Sequence, residues 1–358
     1  MKKILLLNQS IGTGGAERQI CGLAIGLKRQ GYNVRLVTPR KKDFYSLELQ
    51  ELGDSYELHP ELISPAMRIV RLIKLIRKFR PDTIISYGYS MNLPACIAKI
   101  FYPKAQLIVS ERNTTQILTR NLKILYALYR LADYIVPNSH SQSKYLSDRY
   151  PKYKYKIRTI TNFVHVDRFV PAEEKIENDV LEIVTVARYN IQKNGHRYID
   201  AIRRVVAECK NVHFSWYGDK SSGGEYYQQM EAAIKEYNLS GYVTLNNATD
   251  NVVKVYQSAD IFVLPSLFEG YPNVVCEAMC CELPIICGDV CDNATIVEDG
   301  VNGILCDPKS VDSIANAIIN MVKMNRVDRL KMGKRNRAKL IDSHSIENFV
   351  NKYKNLIK

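Results

Sequence analysis

Two glutamates eight positions apart, Glu269 and Glu277, stand in the stretch PSLFEGYPNVVCEAMCCELPII. Glu269 precedes Gly270 and Pro272, which places it in a loop. Pro272 fits the first position of a helix, where a missing N–H costs nothing. Glu277 then falls in the second turn of that helix, whose N-terminus faces the same pocket as Glu269. A carboxylate on the loop and another on the helix can accept hydrogen bonds from separate hydroxyl groups, those of a sugar and of a ribose. A bare glutamate pair arises by chance, and Glu277 alone reads as helix surface. The Ser-x-x-Glu-Gly-x-Pro-Asn context and the Leu-Pro-Ile strand that follows set this pair apart.

A second group is ARYNIQKNG, in which Arg188 and Lys193 follow a strand. Two cations across a turn suit a diphosphate, the arginine as a fork and the lysine as a point charge. Alone the pattern is also that of solvated loop cations. A third is GTGGAER, Gly12 to Arg18, between the first strand and a helix. Glycines let backbone N–H groups approach a phosphate at a helix N-terminus. The loop departs from the dinucleotide fingerprint because Glu17 replaces its third glycine and strand 2 runs into Arg40, Lys41 and Lys42 instead of an acid. NAD is therefore disfavoured. NADP stays open, as does a plain strand-to-helix turn.

These groups need elements to hold them. Short apolar runs at 3–8, 34–38, 83–87, 106–110 and 134–138 alternate with helical patterns at 16–30, 66–80 and 121–131. The alternation restarts with strands at 181–187, 212–218, 242–247, 260–265 and 283–288. Strand–helix alternation implies parallel βαβ units. The polar segment 169–180 reads as a linker. The expectation is two Rossmann-like parallel-sheet domains facing across a cleft, residues 1–170 and 171–345, each binding ligands at the carboxyl ends of its strands.

The 358 residues carry a net charge of +13, unevenly spread. Residues 1–172 hold 28 Lys/Arg against 12 Asp/Glu, and the remainder 22 against 25. A basic half attracts anions: nucleic acid, an anionic membrane or a phosphorylated substrate. In AMRIVRLIKLIRKFR, Arg68, Arg71, Lys74 and Lys78 recur at helical spacing among apolar residues, which suits anionic headgroups and equally an ordinary helix with a basic outer face. NLKILYALYR at 121–130 is a second candidate. The tract RYPKYKYKIR at 149–158 interleaves tyrosine with lysine; it could stack on bases but is short enough for a solvated loop.

Composition excludes other classes. Hydrophobic residues make up 46% and charged residues 24%, as in globular chains. No apolar run approaches the ~20 residues of a spanning helix, and MKKILLLN is too short for a signal peptide. A cytosolic protein is expected. Of nine cysteines, six lie between Cys276 and Cys306 with no CxxC pair and no His among them. They read as structural thiols, with no metal site expected.

Taken in chain order, the three motifs resemble the retaining glycosyltransferases of family 4, which have the GT-B fold, and the resemblance covers nearly the whole chain. Glu269 and Glu277 match the family's E-x7-E spacing. SADIFVLPS before them, EDGVNGILCDP at 298–308 and TNFVHVDRF at 161–169, with Asn162 at its polar position, resemble further family segments. The resemblance implies that Arg188 and Lys193 bind the donor diphosphate and stabilise it as leaving group, with Gly14 and Gly15 near that phosphate. It implies that Glu277 holds the ribose hydroxyls. Glu269 would contact the donor sugar, aided by backbone at Gly270, Tyr271, Pro272, Asn273 and Val274. No metal and no cofactor is implied, and retention would proceed by front-side attack without a protein nucleophile. A C-terminal helix at 346–358 would pack back on the first domain.

Two departures matter. Many members carry a His after the fourth strand of the first domain; here IVSERNTT puts Glu111, Arg112 and Asn113 there. Glu111 or Asn113 is expected to contact the sugar or orient the acceptor, though a cap or turn role suits them as well. At 287–300, CGDVCDNATIVEDG stands where members often have Gly-Gly-x-Pro-Glu. The expected activity is transfer of a hexose or N-acetylhexosamine from a UDP-sugar to a polyprenyl-pyrophosphate-linked saccharide, at the anionic inner face of a bacterial membrane, in surface polysaccharide synthesis. No nucleic-acid partner is expected. The rivals are a sugar-nucleotide epimerase of the same fold, an NADP-dependent oxidoreductase and a basic nucleic-acid-binding protein. The last two leave Glu269 and Glu277 without a role.

Overall fold

The computed structural model describes residues 1–12, 14–39, 49–52, 55–57, 64–174 and 179–358. Thr13, the basic end of strand 2 at Arg40 to Lys42, and residues 175–178 of the expected linker lie outside the described residues. The chain divides into two units, Met1–Phe163 with Ile346–Lys358, and Val164–Ser345. The division falls ahead of the expected 170/171 boundary. Val164 and Phe169 are buried in the core of the second unit, so the start of the expected linker is core instead.

In the first unit, strands β1 (Lys3–Leu7), β2 (Asn33–Thr38), β3 (Ser55–Glu57), β4 (Thr83–Tyr87), β5 (Gln106–Glu111) and β6 (Tyr134–Pro137) form one sheet in the order β3-β2-β1-β4-β5-β6. The pairings are parallel throughout. Helices α1 (Gly15–Arg29), α2 (Pro65–Phe79), α3 (Tyr89–Phe101), α4 (Arg120–Leu128) and α5 (His140–Arg149) connect them. β4 and β5 are buried at every position, as expected of parallel strands covered on both faces. β3 was not legible as a strand. The tract at 149–158 forms a 3-10 helix over Pro151–Lys156 in which Tyr153 is buried, so it is partly core and not a free loop.

The second unit repeats the plan. Strands β7 (Leu181–Val186), β8 (Val212–Tyr217), β9 (Val243–Asn246), β10 (Ile261–Leu264), β11 (Ile285–Gly288) and β12 (Gly303–Cys306) lie in the order β12-β11-β10-β7-β8-β9. Read from the other edge, this is the same winding as the first sheet. Its helices are α6 (Gly195–Glu208), α7 (Lys220–Glu236), α8 (Val252–Ser258), α9 (Asn273–Cys280), α10 (Asn293–Ile296), α11 (Val311–Lys323) and α12 (Arg326–Ser343). The segment 298–308, singled out by resemblance, contains β12. In each sheet the winding reverses next to the first strand, between β1 and β4 and between β7 and β10. Such reversals are where doubly wound sheets take ligands.

The last helix, α13 (Ile346–Lys354), belongs to the first unit. Phe349, Val350 and Tyr353 are buried there. Two glycines of α1 make room for it. A Cβ on Gly22 would strike Phe163, and one on Gly26 would strike Val350. Tyr353 also bonds to Tyr87 at the end of β4, hydroxyl to hydroxyl at 2.9 Å. Burying three such side chains stabilises the docking by roughly 1.5–3 kcal/mol each.

Candidate active site

Lys193 ends a 3-10 turn (Ile191–Lys193) just after β7, and Glu269 lies in the loop after β10, at the reversal point of the sheet. The two loops are stitched together by backbone and side chain. Leu267 N–H donates to the Gln192 carbonyl, and the Gln192 amide donates to the Phe268 carbonyl, both at 2.9 Å. Asn194 takes the left-handed conformation (φ 62°), which asparagine tolerates. Its amide donates to the carbonyls of Pro265 (3.0 Å) and Pro308 (2.6 Å). The result is a buried ion pair, Lys193 Nζ to Glu269 Oε1 at 2.5 Å. Both residues are under 10% exposed.

Glu277 is 2% exposed, so it is not a helix-surface residue. Tyr256 from α8 donates its hydroxyl to Glu277 Oε2 at 3.0 Å. α9 begins at Asn273, and Pro272 is the residue before it, one position earlier in the helix frame than expected. Gly270, Asn273 and Val274 are half-buried around the start of α9, and Tyr271 is buried. Tyr271 stacks on His344 with ring centroids 5.6 Å apart, and its hydroxyl hydrogen-bonds His344 Nε2. His344 was missed in the sequence, where nothing links it to residue 271. Arg188 is exposed directly after β7. Together these residues present cations, carboxylates and a helix N-terminus along one sheet edge.

In the first unit, Gly14 precedes α1 and Gly15 opens it. The Glu17 carboxylate folds back against Gly14 and accepts from Ser10 Oγ at 3.1 Å. It occupies the position of a capping-box acid and favours the positive end of the helix. At the end of β5, Glu111, Arg112 and Asn113 sit in different surroundings. Glu111 is wholly buried and accepts from Tyr129 Oη and, at 3.3 Å, from the Asn92 amide. Burial pushes its carboxyl up to about 7. Its Oε1 is held inside the unit by these two side chains. Asn113 is exposed. Arg112, between them, is buried.

Of the basic residues on α2, Arg71, Lys74 and Lys78 are exposed and Arg68 is half-buried. Arg77, Met67 and Val70 are exposed beside them. Leu72, Leu75 and Ile76 face the core. Seven of the nine cysteines are buried, and burial pushes the Cys280 thiol up to about 12. Among the described residues, no cluster of three His, Cys, Asp or Glu could hold a metal ion. No helix among them is long and apolar enough to cross a membrane.

Two families of glycosyltransferases match the chain in tandem. Glycosyltransferase Family 4 matches residues 13–168 and Glycosyl transferases group 1 matches residues 167–339. Among curated proteins, the chain is 25% identical to the N-acetylgalactosamine-N,N'-diacetylbacillosaminyl-diphospho-undecaprenol 4-alpha-N-acetylgalactosaminyltransferase of Campylobacter jejuni, over 99% of both chains. It is 27% identical to the UDP-Gal:alpha-D-GlcNAc-diphosphoundecaprenol alpha-1,3-galactosyltransferase of Escherichia coli, over 56% of this chain and 54% of that one. Among solved structures, Anabaena Alr3699/HepE in complex with UDP-glucose superposes with a TM-score of 0.85 over 99% of both chains at 19% identity, which establishes the shared fold. The chain belongs to the family 4, group 1 glycosyltransferases, a retaining family with the GT-B fold.

Proposed function

We propose that the chain transfers a hexosyl or N-acetylhexosaminyl group from a UDP-sugar, with retention, to a saccharide carried on a polyprenyl diphosphate. The observation that carries the reading is the buried Lys193–Glu269 pair at the reversal of the second sheet, with Glu277 buried in the helix that follows the Glu269 loop. The printed activities of the Campylobacter and Escherichia relatives, both on undecaprenol-linked diphospho-saccharides, support the acceptor class.

Each residue then has a task. An ammonium has three N–H donors. Lys193 spends one on Glu269 and keeps two for the donor phosphates. Arg188 adds a planar fork to the same group. Glu277, held by Tyr256, accepts from the ribose hydroxyls. Glu269 accepts from a hydroxyl of the sugar, and the N–H groups at the start of α9 face the charge that develops on the phosphate. The anomeric C–O bond breaks with its electron pair leaving on the diphosphate. The acceptor hydroxyl attacks the same face of the sugar, and its proton passes to the departing phosphate oxygen. These residues supply the charge stabilisation without a metal ion. The acceptor's lipid would keep the protein at the inner face of the membrane, with the basic face of α2 toward anionic headgroups.

The test is a thermal-shift series with UDP, GDP, ADP and NADPH on wild type and Glu277→Gln. A ligand that binds the folded state raises the melting temperature by mass action. A UDP shift that Glu277→Gln abolishes is the expected result. A shift with NADPH alone, or one indifferent to Glu277, overturns the reading. Epimerised UDP-sugar formed without an acceptor would point instead to the epimerase.

A further inference from the structure

Arg112 is 7% exposed and stands directly after β5. Its guanidinium lies over the Tyr87 ring, 4.6 Å from the centroid. Nη2 donates to Asn162 Oδ1, and Nη1 reaches Ser110 Oγ at 3.4 Å. Nε is buried and has no hydrogen-bond partner. All of these neighbours are neutral: a ring, an amide and a hydroxyl. The adjacent acid, Glu111, alternates to the opposite side of the strand, where Tyr129 and Asn92 hold it. Among the described residues, no carboxylate pairs with Arg112.

A buried cation without a counter-ion is expensive, and neutral acceptors and a ring offset only part of that cost. The natural complement of a planar fork with spare N–H groups is an oxyanion, above all a phosphate. The location agrees. The carboxyl end of β5 lies on the ligand-binding edge of the sheet. The same edge carries Gly14 after β1 and Asn138 after β6, and the Asn138 amide contacts the Arg112 carbonyl at 3.4 Å.

The geometry points to Arg112 as the receptor for a diphosphate group, that of the lipid-linked acceptor. The assignment to the acceptor rests on the function proposed above, in which donor and acceptor each carry a diphosphate. Arg188 and Lys193 in the second unit already serve the donor's. Among the described residues of the first unit, Arg112 is a buried cation with spare N–H groups and no carboxylate partner.

The experiment is calorimetric titration of inorganic pyrophosphate into UDP-saturated protein, together with titration of UDP alone. The proteins are wild type, Arg112→Gln, Arg112→Lys and Asn162→Ala. Wild type should bind pyrophosphate with UDP in place. Arg112→Gln should weaken that binding roughly ten- to a hundredfold, Arg112→Lys should restore part of it, and UDP affinity should not move. Asn162→Ala removes the amide partner but keeps the cation, so it should still bind pyrophosphate. If Arg112→Gln fails to fold, the lysine and Asn162 variants carry the comparison. Pyrophosphate binding that is absent in wild type, or indifferent to residue 112, overturns the site and leaves Arg112 as a structural pin. Loss of UDP affinity in step with pyrophosphate overturns the acceptor assignment and gives the phosphate to the donor. Failure of wild type to bind UDP refutes the proposed function instead, and pyrophosphate binding by residue 112 would survive it.

Discussion

Lys193 and Glu269, 76 residues apart in the chain, form a buried ion pair with Nζ 2.5 Å from Oε1. Each therefore offsets part of the cost of burying the other. Removing one partner takes the ion pair from a residue that stays buried. Lys193→Met should cost about 3–5 kcal/mol of stability, whereas Lys193→Met with Glu269→Gln should recover most of that loss. Urea unfolding of the three proteins checks it. A double variant as unstable as the single would show that the pair contributes no coupling.

Glu277 and Tyr256 predict a graded loss of nucleotide. In the proposed role Glu277 accepts from the ribose hydroxyls, and Glu277→Gln puts a neutral acceptor there. Charged hydrogen bonds contribute about 1.5–3 kcal/mol, so the dissociation constant for UDP should rise roughly ten- to a hundredfold. Tyr256→Phe removes only the donor that orients Oε2, and should raise it less. Glu269→Gln should leave UDP binding near wild type and lower turnover. UDP affinities that are equal in all four proteins would reject these assignments.

How much of this was legible follows from what each feature depends on. The buried parallel strands announce themselves as apolar runs, and β4 and β5 are apolar because helices cover both faces. β3 has three residues and β12 four, one of them glycine, too short for a periodic signal. The importance of Glu269 and Glu277 was readable from local context. Their partners were not, because Lys193 meets Glu269 through the adjacency of β7 and β10, a property of the sheet order. At the end of β5 the period of two says that Glu111 and Arg112 face opposite sides. Sequence does not say which side carries a ligand, nor that Glu111 is buried against Tyr129 and Asn92.

Glu111 predicts a pH dependence. Its carboxyl is pushed up to about 7 from an ordinary 4.5, mainly by burial. The ionisable groups beside it, Tyr89, Cys96, Tyr126 and Tyr129, are neutral near pH 7 and are themselves pushed upward. The folded state thus keeps a proton that the unfolded chain loses above pH 4.5. Stability from this group is full below that value, declines toward pH 7 and stays lost above it. The span corresponds to about 3 kcal/mol. Glu111→Gln keeps the shape and cannot ionise, so its stability advantage over wild type should grow between about pH 4 and about pH 8. Urea unfolding across that range checks it, and a difference independent of pH would refute it.

Tyr271 and His344 predict a coupling. Their rings stack and their polar ends hydrogen-bond, while Ser343 Oγ meets His344 Nδ1 at 2.6 Å and the His344 carbonyl accepts from Val164 N–H at 3.0 Å. The imidazole thereby fixes Tyr271, in the loop before α9. Tyr271→Phe and His344→Phe each preserve the stack and delete the bond. Each should raise the KM for the donor with little change in kcat, and the double variant should be no worse than either single, a coupling of about 0.5–1.5 kcal/mol. Strictly additive effects would mean the contact does not position the loop.

The basic face of α2 gives the membrane prediction. Arg71, Lys74, Arg77 and Lys78 are exposed, and so are Met67 (47%) and Val70 (44%), although Leu72, Leu75 and Ile76 of the same helix are core. Apolar side chains among cations are the pattern of a helix that lies in a membrane interface. Near an anionic surface each Lys or Arg contributes about 1 kcal/mol. Replacing the four by Gln should therefore lower partitioning onto phosphatidylglycerol vesicles by more than about a hundredfold. Binding to phosphatidylcholine vesicles should stay weak in both proteins. Met67→Ser with Val70→Ser should instead reduce the binding that persists in high salt, because apolar insertion is not screened. Sedimentation with vesicles of the two compositions separates the terms. Binding that ignores all six substitutions would refute α2 as a membrane-binding surface.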